Sequence, residues 1–408
     1  MLRLIKPEQG HKMEGGGRRK AKPKALTVLG RFLALLVTAV LVLGAVALIL
    51  NYDKLNFDSI KRWFSYRNLT TDNGQAESFP YEGDGTSVFA SVDGDLLVCS
   101  STGIRLYSGS GQVYVSRTVA MENPVAVARG GVAVAYDAGG RMLLACRDRE
   151  EAFSLELGED EEILSADVND SGWLVTVTQQ SGYKGVVTVY DSQFQPRMRV
   201  NLSSRFVMDA ALSPDSGSVA LLSVGVEEGA FASRVELYPL TGSGGEGEEV
   251  QPQASCLVGS EVVLELTWDS QGIWALGENT LFHLDDEGNL TGSYSYSGRY
   301  LKAFSLDGDG TAALLLGKYR AGSSAELVVV DSKGEAQATL ALEEQVLSIS
   351  AAGRYVALLT ADRLDIYDRD LDLYHTLDGT QSARKVLQRV DGSVMLIDNS
   401  TARIYLPQ

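Results

Sequence analysis

The sequence predicts an all-β fold, a β-propeller of eight blades (seven if its weakest repeat is not a blade), preceded by one N-terminal transmembrane helix. Three observations predict it. An uncharged apolar run, residues 32–50, follows a basic cluster. From residue 76 onward one succession of short strands returns at spacings of 37 to 56 residues. The last repeat is also one strand short, while a strand-like segment is left over before the first.

Composition agrees with a globular, strand-rich domain: 45% hydrophobic and 22% charged residues, with 42 glycines against nine prolines. The net charge of −17 is uneven. Residues 1–50 carry nine basic side chains against Glu8 and Glu14, a net of +7, which leaves −24 for the rest. So acidic a domain repels phosphate backbones, and nucleic acid is not an expected partner. Cys99, Cys146 and Cys256 form no CxxC pair and no zinc spacing. Cys99 and Cys146 sit in apolar strand-like runs and read as small buried hydrophobes. The lack of a disulfide framework outside a membrane fits a bacterial surface.

Residues 1–31 read as a basic cytoplasmic tail and 32–50, FLALLVTAVLVLGAVALIL, as the transmembrane helix. About 20 helical residues cross the hydrocarbon core, and RRKAKPK before the run keeps the N-terminus in the cytoplasm. Ala45-Val46-Ala47 offers a signal-peptidase site, but the run is longer than a signal h-region and continues past it. Residues 51–75 read as a juxtamembrane amphipathic segment and linker. Tyr52, Trp63, Phe64 and Tyr66 beside Lys61, Arg62 and Arg67 suit the headgroup level, with Asp58 or Ser59 as helix cap and 68–75 as a polar linker.

Residues 76–408 form the expected extracytoplasmic propeller. Its units open near Ser87, Pro124, Ile163, Phe206, Val262, Tyr300, Val346 and Ala383, the second (124–162) being the weakest. Third strands end in an Asp at Tyr190-Asp191, Leu284-Asp285, Val330-Asp331 and Tyr367-Asp368, where its carboxylate can bond the following turn. AESFPYEG, 76–83, is expected to supply the fourth strand beside ARIYLPQ and so close the ring.

The strand-end Asp is similar to the Trp-Asp of WD repeats, without their Gly-His partner. The order of basic tail, anchor, KRWFSY, EGDGTSVFASVDGDLLVCSSTGIRLYS and its repeats resembles an uncharacterised bacterial family of single-pass membrane-anchored, quinoprotein-like or WD-like propellers. The resemblance implies a fold and a location in the cell membrane, and no activity.

Candidate chemistry is sparse. His11 lies in the tail, and His283 and His375 sit on separate strands, too few for a triad or a His-rich metal site. Trp63, Trp173, Trp268 and Trp274 form no repeated quinone-binding motif. Two turns resemble calcium loops, around Asp167 and Asn169 and around Asp307 and Asp309, but Thr178 and Lys318 stand where an EF-hand loop places its Glu. Ordinary Asp/Gly hairpin turns explain both. Asn-x-Ser/Thr sequons at Asn68, Asn169, Asn201, Asn289 and Asn399 read as turn residues, and 242–249 as a flexible acidic loop. No cofactor is expected. The first functional expectation is a non-catalytic binding or scaffold module, tethered to the lipid bilayer, for an envelope protein, wall polymer or small ligand. The alternative is a propeller enzyme, a quinone-dependent dehydrogenase, hydrolase or lyase, with acids or a metal in its channel.

Overall fold

The computed structural model describes residues 38, 42, 58, 62, 65–67, 69, 71–240 and 251–407. The chain divides into two units, Met1–Phe57 and Asp58–Gln408. In the first, Thr38 and Val42 are helical and exposed. The rest of the expected anchor, the basic tail and the acidic loop at 242–249 lie outside the described residues. Among the described residues no helix is long and apolar enough to cross a membrane.

The second unit is an eight-bladed β-propeller. Each of the first seven blades is a four-stranded antiparallel meander, and their first strands begin at residues 88, 124, 162, 206, 263, 300 and 346. Segment 124–162 is a full blade: Pro124–Arg129, Val132–Asp137, Met142–Arg147 and Glu150–Glu156 pair in order. The chain builds blades because second and third strands are continuous apolar runs, such as Asp95–Ser100, buried along their whole length between neighbouring blades. Fourth strands such as Glu150–Glu156 alternate toward solvent and form the periphery. First strands of adjacent blades pack against each other and ring the axis.

Eight apolar clusters hold the ring, one between each pair of neighbouring blades. Leu96 and Leu97, fully buried on opposite faces of one strand, belong to different clusters. Burying one such leucine stabilises by roughly 1.5–3 kcal/mol, so each blade depends on both neighbours.

The ring closes as the sequence predicts. Blade 8 has strands Lys385–Gln388, Val394–Ile397 and Thr401–Tyr405, and its outer position is filled from the other end of the domain. Phe79 pairs with Ala402, and Gln75 with Tyr405. The expected linker 68–75 contains part of this closure. Thr71–Asp72 and Gln75–Ala76 form a tight hairpin about Asn73 and Gly74, both at positive φ. Asn-Gly is the preferred pair for such a turn, and a Cβ on Gly74 would meet the Leu406 carbonyl oxygen, which is why glycine stands there.

The strand-end aspartates act as expected. Asp191, Asp285, Asp331 and Asp368 each accept hydrogen bonds from the backbone N–H groups two and four residues onward, at 2.7–3.1 Å. Ser108 does the same in blade 1.

Candidate binding channel

A propeller has two faces. The turn face carries the turns between first and second and between third and fourth strands. The loop face carries the second-to-third turns and the links from blade to blade.

On the turn face, three residues of the segment expected at the membrane, Asp58, Arg62 and Tyr66, make hydrogen bonds to the propeller. Arg62 is only 5% exposed and donates to the Asp391 carbonyl at 2.5 Å and to the Tyr374 hydroxyl at 3.1 Å. Tyr66 shares a hydrogen bond with Ser393 and accepts one from Arg389, which also donates to Ser91 and to the Gly94 carbonyl of blade 1. Asp58, expected as a cap, is itself helical, and its carboxylate accepts from Arg354 and Tyr355. These hydrogen bonds tie the three residues to blades 7 and 8. Trp63 and Phe64 lie outside the described residues.

The channel is lined by the first strands. In blades 3 to 7 each carries a bulge at one place, inserting Leu164, Met208, Leu264, Lys302 and Leu347. These positions collar the mouth on the loop face: Met208 is 42% and Leu264 51% exposed although both stand on innermost strands. One residue deeper come Ser165, Asp209, Glu265, Ala303 and Ser348, and Asp167 lies two residues below Ser165.

At the turn-face end Arg129 reaches from blade 2 to the opposite side of the ring. It donates to the Trp268 carbonyl at 3.2 Å and to Asp307 at 2.8 Å. Blades 2 and 6 are four apart in a ring of eight, so this ion pair spans the axis.

Asp167, Asp209 and Glu265 therefore share a confined space with one cation. Asp209 is 9% exposed and accepts from Ser165, the Leu266 N–H and the Ala210 N–H. Burial raises its pKa to about 6. Burial also raises Asp167, to about 7, with Arg129 opposing and Asp209 and Asp307 reinforcing the shift. Glu265 rises to about 8, through burial first and then repulsion from Asp209, Asp307 and Asp167. Burial works against the charge on Arg129, but Asp167 and Asp307 favour it, and its pKa rises. The arrangement can hold protons near neutrality or take up a second cation.

The calcium-loop expectation placed Asp167 in a hairpin turn. It lies instead on the strand Glu162–Val168, facing the channel group. Asn169 does occupy the turn, accepting from Ser171 and Trp173 while its amide donates to the Ser213 carbonyl and Ser216 of blade 4. Asn169 itself is thus buried, at 1% exposure. Asp307 is committed to Arg129, and Asp309 accepts from Ser270. Among the described residues no three His, Cys, Asp or Glu side chains are grouped as metal ligands. His283 and His375 lie in different blades, bonded to Thr291 and Tyr405. Trp268 and Trp274 donate to Asp286 and Asp269 within blade 5. Burial pushes the Cys99 and Cys146 thiols up to about 12, as suits inert core residues.

Among the described residues the loop face carries most of the large exposed apolar side chains. Tyr183, Phe206, Val226, Phe231, Tyr300 and Tyr319 all lie on its turns and strand ends in blades 3, 4 and 6. Lys184 stands 5.0 Å over the Phe206 ring and Arg320 5.6 Å over Tyr300. Sequence reading missed this surface, because its residues are scattered over more than 130 positions and meet only when the ring forms.

These features define a closed β-propeller with a one-sided, acid-lined channel. The fold is similar to that of the C-terminal WD40 domain of Sif2, with a TM-score of 0.53 at 12% identity, covering 83% of this chain and 98% of that one. The chain belongs to DUF5711, a family of unknown function, whose model matches residues 66–406. No curated protein matches the sequence.

Proposed function

We propose that the chain is a non-catalytic binding module of the bacterial cell envelope, tethered by 32–50 to the membrane and holding its propeller outside the cytoplasm. The observation that carries the reading is the apolar and aromatic surface on the loop face of blades 3 to 6, around an open channel mouth. Soluble surfaces seldom leave so many large apolar groups in one region without a partner. The basic cluster 18–24 before the apolar run supports the orientation, and the acidic domain argues against nucleic acid. The partner class is an envelope protein, since a surface reaching from Tyr183 to Tyr319 exceeds what a small ligand covers.

The test is chemical crosslinking of intact cells making the full chain or its Val226→Glu, Phe231→Glu, Tyr319→Glu variant. The wild type is expected to fractionate with membranes and to carry a discrete adduct that the variant lacks. An adduct pattern identical in both would overturn the reading.

A second reading, an acid–base enzyme in the channel, is favoured by the near-neutral pKa values of Asp167 and Glu265. It ranks second because Asp209, the most buried of the three channel acids, is held as a strut by three donors.

A further inference from the structure

We propose that the channel mouth over blades 3 to 6 receives a lysine side chain presented by an extended, acidic-flanked segment of a partner protein. The proposal deepens the binding-module reading and rests on it.

The mouth has the profile of such a side chain. Leu164, Met208 and Leu264 supply an apolar collar from three neighbouring blades, and Met208 and Leu264 are about half exposed on their innermost strands. A lysine lays its four methylenes along apolar surface and carries a compact charge at the tip. Directly below the collar stands Glu265, which takes no hydrogen bond or ion pair from the described residues, with Asp209 and Asp167 beside it. Among the described residues the cation in this group is Arg129, already bound to Asp307 and the Trp268 carbonyl. Carboxylates crowded together without a counter-ion hold protons into the neutral range, and an entering ammonium favours their ionised forms.

The surroundings choose a protein over a free amine. Outside the collar lie Phe206, Val226, Phe231 and Tyr319, more apolar area than a small ammonium ion can cover. Lys184 and Arg320 stand among them over aromatic rings, and Lys302 donates to the Gly322 carbonyl. These rim cations repel a uniformly basic ligand and suit acidic residues on either side of a single lysine.

The test uses full-length protein in nanodiscs and a fluorescein-labelled peptide with one central lysine between glutamates, followed by anisotropy. Binding is expected to be saturable and to strengthen as pH rises from about 6 to about 8.5, where the channel acids ionise. The same peptide with acetyl-lysine is expected to bind at least tenfold more weakly, as is the parent peptide to Glu265→Gln. Leu264→Gln, at an exposed position that leaves the core intact, is expected to weaken binding several-fold. Equal binding of the lysine and acetyl-lysine peptides, displacement by spermidine at the concentration at which unlabelled peptide displaces, or no binding at all would each overturn the proposal. If the peptide fails while the crosslinked adduct of the wild type still depends on Val226, Phe231 and Tyr319, the lysine is wrong and the surface right. If that adduct is also independent of them, the underlying reading fails.

Discussion

Blades 3 to 6 and blades 7 to 1 are built from the same meander, yet their inner walls are finished differently. From the blade 6–7 boundary onward the first strands are joined by short hydroxyls: Ser305 accepts from the Ala351 N–H across that boundary, and Ser350 from the Gln388 N–H across the next, at 2.9 and 3.0 Å. Across blades 4 and 5 the same task falls to Asp209, which accepts from the Leu266 N–H at 2.8 Å. A serine suffices where ring closure is the only requirement. The carboxylates of the first half therefore exceed what closure needs, and they stand beneath the apolar mouth. The outer finish differs in parallel. The turn face of blades 7, 8 and 1 is occupied by Asp58, Arg62 and Tyr66, while the loop face of blades 3 to 6 is open.

The largest effect that can break this contrast lies in the docked segment. Arg62→Ala removes a buried charged donor from two half-buried acceptors and is expected to lower stability by about 1.5–3 kcal/mol. Leu373→Ala, exposed on the same face, is expected to change little. Thermal unfolding of both variants checks this, and equal midpoints would contradict a supporting role for Arg62.

A smaller effect concerns pH. Asp167, Asp209 and Glu265 bind protons more tightly in the folded chain than in the unfolded one, so their contribution is complete below about pH 4 and is lost as pH rises through about 6 to 8. His283, held below its ordinary value by burial, acts oppositely, since its neutral form is favoured on folding, and it matters only at the acid end. The thermal midpoint is therefore expected to fall between about pH 6.5 and 8.5 and to fall less in Glu265→Gln. An unchanged slope in that variant would remove Glu265 from the coupled group.

The ring was legible because a blade is local. Each hairpin signals itself through Asp/Gly turns and apolar runs, and the predicted openings lie within two residues of the first strands. Closure was legible too, since the strand missing at one end lay at the other. The channel was not. Arg129 is a lone cation ending PVAVAR, and nothing nearby says that it crosses to Asp307, 178 residues away. Asp167 shows the same limit. Its neighbours VNDSG look like a turn, so the carboxylate was assigned to the turn, while the strand alternation that points Ser165 and Asp167 the same way was overlooked. Arg62 and Tyr66 carry a pattern that suits lipid headgroups and protein equally, and nothing in it names blade 8 as their partner. Asn73-Gly74 was a readable hairpin signal hidden within a polar stretch.

The central claim is that the two halves divide binding from support. Photo-crosslinking residues placed singly in the full chain, in intact cells, at Val226 and Tyr319 on the loop face and at Leu373 and Val390 on the turn face, test it most directly. Adducts to one envelope protein at 226 and 319, absent at 373 and 390, are the predicted result. Adducts concentrated at 373 and 390 would contradict it.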